Sequence, residues 1–225
     1  MTTALDNPVW HSLGETHSSW AQGTECAKWY PRNVAPFIAV PAPSARIDDQ
    51  AIAASDLQAA YFVGVAPDVL PDAWRVEGTS PVLQMIFTDE AIAADDWQFV
   101  ELGEAHRPKM VELAKIAFPE FFRTRTAELG AYFGVFVAEQ LVAMAGERMA
   151  FADYREISGV CTHPDHAGHG FASRLSQALL ERHRLEGWHS FLHVSAGNAK
   201  AIQLYEKLGF KRRTVLTMWK VSRVA

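Results

Sequence analysis

The stretch Glu156-Ile-Ser-Gly-Val-Cys-Thr-His-Pro-Asp-His-Ala-Gly-His-Gly-Phe-Ala-Ser173 constrains this chain most. It opens as a strand, with Ile157, Val160 and Cys161 apolar, and Pro164-Asp165 marks a turn. It then passes Gly168 and Gly170 into a helical pattern of Phe171, Leu175, Ala178 and Leu179. A strand ending in a glycine loop at a helix start makes an anion site. The first helical N–H groups have no internal partner, and the helix dipole is positive there. The glycines let backbone approach a bulky anion such as a pyrophosphate. A dinucleotide fingerprint is not met: Gly168-His169-Gly170-Phe171-Ala172-Ser173 lacks the third glycine, and no acidic residue ends a following strand at the required distance. A Walker loop fails for want of Gly-Lys-Ser/Thr.

Ala167-Gly168-His169-Gly170-Phe171-Ala172 matches the pattern Gln/Arg-x-x-Gly-x-Gly/Ala except at its first position, where Ala167 stands. Downstream lies Asn198-Ala-Lys-Ala-Ile-Gln-Leu-Tyr-Glu-Lys-Leu-Gly-Phe210. On these two motifs, in this order, the chain resembles the GNAT superfamily of acyl-CoA-dependent N-acyltransferases. Its C-terminal half is similar to the branch resembling glycine N-acyltransferase. The resemblance covers roughly the last three fifths of the chain.

The resemblance implies an α/β (α+β) GNAT fold, a mixed central sheet flanked by helices. In it the Glu156 strand and the strand ending at Val194 run parallel and splay apart. The implied donor is acetyl-CoA or another short acyl-CoA, with no metal. The implied acceptor is an amine on a small molecule or peptide, attacking the thioester directly without an acyl-enzyme. Gly168, His169, Gly170, Phe171, Ala172 and Ser173 would hold the diphosphate by main-chain amides. Val160, Cys161 and Thr162 would lie along pantetheine. Val160 and Thr162 offer backbone groups there, and Cys161 points the other way as a small buried thiol. Asn198 reads both as a helix cap and as a pantetheine contact. Arg174 and Lys200 either meet phosphates or are solvated.

Acyl transfer to an amine asks for a base, and the departing thiolate, near pKa 8–9 by analogy with cysteine, asks for a proton. Tyr205 is the expected general acid; seven residues after Asn198, it faces the same way on the helix. The alternative is a tyrosine packed beside Ile202 and Leu208. Glu156, His193 and a water chain compete as base. Histidine titrates near neutrality, whereas glutamate needs its pKa raised by burial. Otherwise Glu156 is an exposed strand residue paired with Arg155 or Arg148, and His193 a core histidine bonded to a carbonyl. Glu147 either meets a cationic acceptor or forms a salt bridge. One rival is a zinc site at Cys161-x-His163-x2-His166-x2-His169, whose residue types are metal ligands. Another is a non-catalytic acyl-CoA sensor.

The segment before this region carries no recognised chemistry. Asn7-Pro8 is a helix start, with Asn7 as cap and the helix running to about Ala21. Phe37–Val40 is a short strand, Ile52–Ala60 a helix, and Tyr61–Val65, Trp74–Val76 and Val82–Phe87 are separate strands. The apolar runs suggest strands covered on both faces. Asp89–Asp96 is the expected joint between a smaller α+β N-terminal domain, 1–95, possible shaper of the acceptor side, and a GNAT domain, 96–225. Trp97–Leu102 is a strand, Glu104–Ala117 a helix that Pro119 ends, and Thr124–Leu129 a short helix. Tyr132–Val137 and Leu141–Ala145 make a hairpin. After the glycine loop come a helix, 170–186, the strand Trp188–Val194, a helix capped by Asn198, and the last strands, Phe210–Val221. A net charge of −5 gives no reason to expect nucleic acid. Cys26 and Cys161 set no disulfide framework, and a cytoplasmic protein is expected, with no leader and no apolar run of the ~20 residues that span a bilayer. A homodimer is compatible with the sequence, which sets no oligomeric state.

Overall fold

The computed structural model describes residues 3–88, 97–117 and 120–224. The chain starts with helix α1 (Pro8–Gly14), whose first position is the expected proline. Asn7 does not cap it. Its side-chain amide turns instead to donate to the Val40 carbonyl at 2.8 Å. The helix is also shorter than expected; a separate 3-10 turn, Ser18–Trp20, follows. Strands β1 (Gln22–Gly23), β2 (Lys28–Trp29) and β3 (Ile38–Ala39) form a small three-stranded sheet. Helix α2 (Asp49–Ala54) lies earlier than the apolar pattern suggests, because the Asp48 carboxylate accepts from the Gln50 and Ala51 amides and fixes its start.

Strands β4 (Ala59–Val63) and β5 (Trp74–Phe87) come next. After the undescribed joint 89–96 follow β6 (Val100–Glu101) and helix α3 (Arg107–Ala117). Pro119, expected to end α3, lies outside the described residues. The expected helix 124–129 is a 3-10 turn, Thr126–Glu128. Then come β7 (Tyr132–Val137), β8 (Gln140–Phe151), β9 (Tyr154–Thr162), α4 (Phe171–Leu185), β10 (His189–Ser195), α5 (Ala199–Lys207) and β11 (Phe210–Arg223).

Strands β4 to β11 form one eight-stranded sheet in the order β4-β11-β5-β10-β9-β8-β7-β6. It is mixed: every neighbouring pair is antiparallel except β9 with β10. A division at residues 95/96 separates strands of this one sheet, since β5 sits between β10 and β11. The physical reason is in the β5 sequence. Apart from Gln84, Val82–Phe87 is apolar on both faces, as suits a central strand. The two runs expected as separate strands are one, bridged by Gly78 and Pro81.

Adjacent residues of a strand face opposite sides of a sheet. Phe191 accordingly packs with α1 residues Val9 and Leu13, together with Met149, Phe151 and Leu216. Leu192 packs on the other face with Leu175, Leu179 and Leu180 of α4 and Ile202 of α5. Helix α3 covers Met144 and Cys161 through Met110 and Leu113. The sheet is thus sandwiched, with α4 and α5 on one side. Among the described residues no helix is long and apolar enough to cross a membrane.

Candidate active site

The parallel pair β9–β10 is bonded only where Tyr154, Arg155 and Glu156 meet His189, Ser190 and Phe191. Both strands continue, β9 to Thr162 and β10 to Ser195, but the ladder between them stops. The divergence opens a cleft of about 300 Å³. On one side it is lined by Val160, Asn198, Ala201 and Tyr205. On the other it is lined by Phe37, Val63, Val82, Phe121, Phe122 and Met218, with Arg148 and His193 between. Tyr205 and Ala201 belong to the α4/α5 core, while Phe37, Val63 and Val82 belong to the α1 core. The cleft therefore reaches into the sheet from both faces.

A buried polar relay backs this cleft. The Glu156 carboxylate is 0% exposed. It accepts from Arg148 Nε at 2.9 Å and Nη2 at 2.7 Å, and from the Met149 amide at 3.2 Å. His193 Nδ1 lies 2.8 Å from the same carboxylate. On the far side of the ring, His193 Nε2 is 2.9 Å from Gln84 Nε2. An amide nitrogen only donates, so His193 Nε2 accepts and the ring proton sits on Nδ1. Gln84 is held in that orientation. Its amide also donates to the Leu5 carbonyl at 2.8 Å, and its carbonyl accepts from Arg213 at 2.8 Å. Arg213 in turn pairs with Asp6 at 2.7 Å.

These bonds reassign Glu156. Burial alone would push its carboxyl up, but Arg148 and His193 outweigh burial and hold it down at about 2. A carboxylate so firmly ionised, without exposed surface, is a poor acceptor for an amine's proton. It is an orienting partner for His193. The pairing with Arg148 is present, yet Glu156 is fully enclosed, not exposed as the sequence suggested, and Arg148 is partly buried beside it. Tyr205 sits on α5 with its phenol pushed up to about 12 by burial, so it stays protonated. Asn198 Oδ1 accepts from the Ala201 amide at 3.1 Å and caps α5 while also lining the cleft.

The glycine loop lies beyond the end of β9. Gly168 and Gly170 have φ of +85° and +78°, and a Cβ at either would meet nothing within 4 Å. They face open space, and the left-handed backbone is what excludes larger residues. Gly170 is the N-cap of α4, with no side-chain cap bond, so Phe171, Ala172 and Ser173 begin the helix with uncapped amides. His169 stacks on Phe171, and Phe171 on Trp97, at 5.5 and 5.7 Å. Arg174 lies over the Trp97 ring at 5.3 Å. An open, left-handed glycine turn at an uncapped helix start fits a diphosphate. The β9 edge past Glu156, without a β10 partner, fits an extended amide-bearing arm.

The remaining candidates separate cleanly. Val160 lines the cleft. Thr162 pairs with Ala143, and Cys161 with Met144 on the α3 side, where burial pushes its thiol up to about 12. Lys200 is exposed. Glu147 is not at the cleft. His183 Nε2 at 3.2 Å and the Ala131 amide at 3.2 Å occupy its carboxylate. Of the proposed zinc ligands, Cys161 packs beneath α3 with Met110 and Leu113, while the rings of His163 and His166 lie 6.1 Å apart and those of His166 and His169 6.4 Å apart. No group of three such ligands comes together among the described residues. Gln84 had no assigned role in the sequence, and Arg148 entered only as an ion-pair partner for Glu156. The one signal for Gln84 was an amide inside the apolar run Val82–Phe87.

The FR47-like protein family matches residues 132–220, which spans β7 to β11. An acetyltransferase assigned to the GNAT family, from Novosphingobium aromaticivorans, is 33% identical, with 100% of both chains covered and a TM-score of 0.88. The chain belongs to the GNAT family. Two more distant structures show the shared fold. A GCN5-related N-acetyltransferase from Kribbella flavida has 14% identity, covers 91% of this chain and 89% of its own, and gives a TM-score of 0.58. A GNAT acetyltransferase from Colwellia psychrerythraea has 15% identity, covers 76% and 69%, and gives 0.55. Comparison with curated protein sequences returns no match. In this GNAT protein the pairing of β9 with β10 is confined to a three-residue ladder, and the strands part beyond it.

Proposed function

We propose that this GNAT protein is an N-acetyltransferase. It moves an acetyl group from acetyl-CoA, or from another short acyl-CoA, to an amine that attacks the thioester directly. The reading is carried by one observation: Tyr205 and His193 face the same cleft, where β9 and β10 part. Acetyl-CoA supplies the activated acyl group when bound. The amides at Gly168–Ser173 hold its diphosphate, and the open β9 edge at Val160 aligns its arm.

His193 is the base. Its Nε2 lone pair takes the amine's proton once the Gln84 N–H yields, and Glu156 stabilises the imidazolium through Nδ1. Magnitudes define what Tyr205 does. A phenol near 12 does not fully protonate a thiolate whose thiol titrates near 8–9. It stabilises the departing sulfur chiefly as a hydrogen-bond donor, and a bond to a charged group contributes about 1.5–3 kcal/mol. The test is thiol release from acetyl-CoA over an amine panel, with coenzyme A binding followed by calorimetry. Tyr205→Phe should bind coenzyme A normally and lose about 10–100-fold in kcat. Binding without thiol release from any amine would replace this reading by a non-catalytic acyl-CoA sensor. The glycine N-acyltransferase branch rests on the C-terminal motif alone.

A further inference from the structure

Resting on the acetyl-transfer reading of the cleft, we infer that the acceptor is a monoamine carried on a single-ring aryl or branched-alkyl body, with no second charged group. The α1 end of the cleft is walled by Phe37, Phe121, Phe122, Val63, Val82 and Met218. Of the described residues lining the cleft, Arg148 carries the one formal charge. The fully enclosed Glu156 cancels it through a bidentate pair at 2.9 and 2.7 Å. The guanidinium face also lies over the Phe37 ring at 4.8 Å. His193, with its proton on Nδ1 and Gln84 donating to Nε2, enters the balance as a neutral ring.

That balance bears on the acceptor in two directions. A polyamine's second ammonium would meet no carboxylate on the described walls, and an amino acid's carboxylate would meet no uncompensated cation. Either charge would be desolvated without an opposite charge to pair with, which costs several kcal/mol. An apolar body would instead be desolvated favourably against the same walls. The walls also act on the reacting amine: low polarity disfavours the ammonium form and eases the proton transfer asked of His193. Size sets the scale of the body. The cleft volume is about 300 Å³, and it must also hold the thioester end. A cavity of ~150 Å³ accommodates benzene. One ring or one branched chain fits the remainder.

Thiol release from acetyl-CoA by the full chain decides the matter with four amines: 2-phenylethylamine, isoamylamine, spermidine and phenylalanine. The first two should exceed the last two in kcat/KM by at least about tenfold, the equivalent of ~1.4 kcal/mol. A higher kcat/KM for spermidine or phenylalanine overturns the acceptor class and leaves acetyl transfer standing. Coenzyme A binding with no release from any of the four, but release from another amine of the wider panel, overturns the acceptor class alone; no release from any amine of that panel overturns both readings. Met218→Glu places a carboxylate on the wall, and should narrow the ratio of 2-phenylethylamine to spermidine about tenfold while coenzyme A still binds. An unchanged ratio in a variant that binds coenzyme A overturns the assignment of this wall to the acceptor.

Discussion

Glu156 and Gln84 grip one imidazole from opposite sides, and each grip predicts a different failure. Glu156→Gln leaves the largely enclosed Arg148 guanidinium, 14% exposed, beside a neutral amide. Breaking a buried pair in this way costs about 3–5 kcal/mol. At ~2–4 °C per kcal/mol for a chain of this size, Tm should fall by about 10 °C in calorimetry. Removing both charges with Glu156→Gln and Arg148→Met should recover part of that loss; a double variant less stable than the single one would show that the pair is not the stabilising unit. Gln84→Glu acts on the other nitrogen. A carboxylate there accepts where the amide donated, so His193 is held between two carboxylates, with Arg213 beside the new one. The ring then favours its doubly protonated form, which has no lone pair for an amine. The pH profile of kcat should shift to higher pH, with coenzyme A affinity unchanged. An unmoved profile would remove His193 from the proton path.

At the scale of elements, the turn into α4 separates strain from contact. Gly170 has φ +78° with open space where a Cβ would go, so Gly170→Val adds backbone strain and no clash inside the protein. The left-handed conformation costs an L residue about 1–2 kcal/mol. Coenzyme A affinity should drop about tenfold or more by calorimetry while the fold persists. Full affinity would mean that the loop does not hold the diphosphate. This element was legible in sequence because glycine at a strand–helix junction has a backbone reason to be there. So were α5 and its cap, through Asn198 and the apolar stripe that contains Ile202 and Tyr205. What stayed hidden was long-range pairing. Nothing in Val82–Phe87 says that it lies between β10 and β11 across more than a hundred residues, so β5 was read into a separate domain. The same blindness hid the relay. Glu156 read as a candidate base or an exposed strand residue because the groups that enclose it come from elsewhere in the chain: Arg148 and His193 reach its carboxylate, and Gln84 reaches the far side of His193. Local chemistry was readable; the charge balance of the cleft was not, since it depends on those three meeting.

Across the whole molecule, the N-terminal segment is fastened to the catalytic sheet by groups that respond to acid in order. Buried His17 bridges the segment to the loop before β7: Nδ1 is 2.9 Å from the Tyr30 hydroxyl and Nε2 is 3.2 Å from the Leu129 carbonyl. Burial, against the pull of the Leu129 bond, lowers its pKa from 6.5 to about 4. The folded value lies below the unfolded one, so the unfolded chain binds the proton first. The stabilisation is complete above pH 6.5 and is lost as pH falls from there towards 4; the gap corresponds to about 3 kcal/mol. Glu156 has the same sign but a lower window, from 4.5 down to about 2. Urea unfolding should therefore show stability declining between pH 6.5 and 4 well before the relay at Glu156 is protonated. His17→Gln can keep both bonds, donating to Leu129 and accepting from Tyr30, without a titrating group. Its stability should change less over that window, and equal slopes for variant and parent would show that His17 is not the acid-sensitive fastening. The loop it holds carries Phe121 and Phe122, and Thr126 adds a second tie through its hydroxyl to the Val34 carbonyl at 2.6 Å. Acid should consequently loosen the acceptor wall before it unfolds the sheet, raising KM for the amine at a pH where coenzyme A binding is still intact.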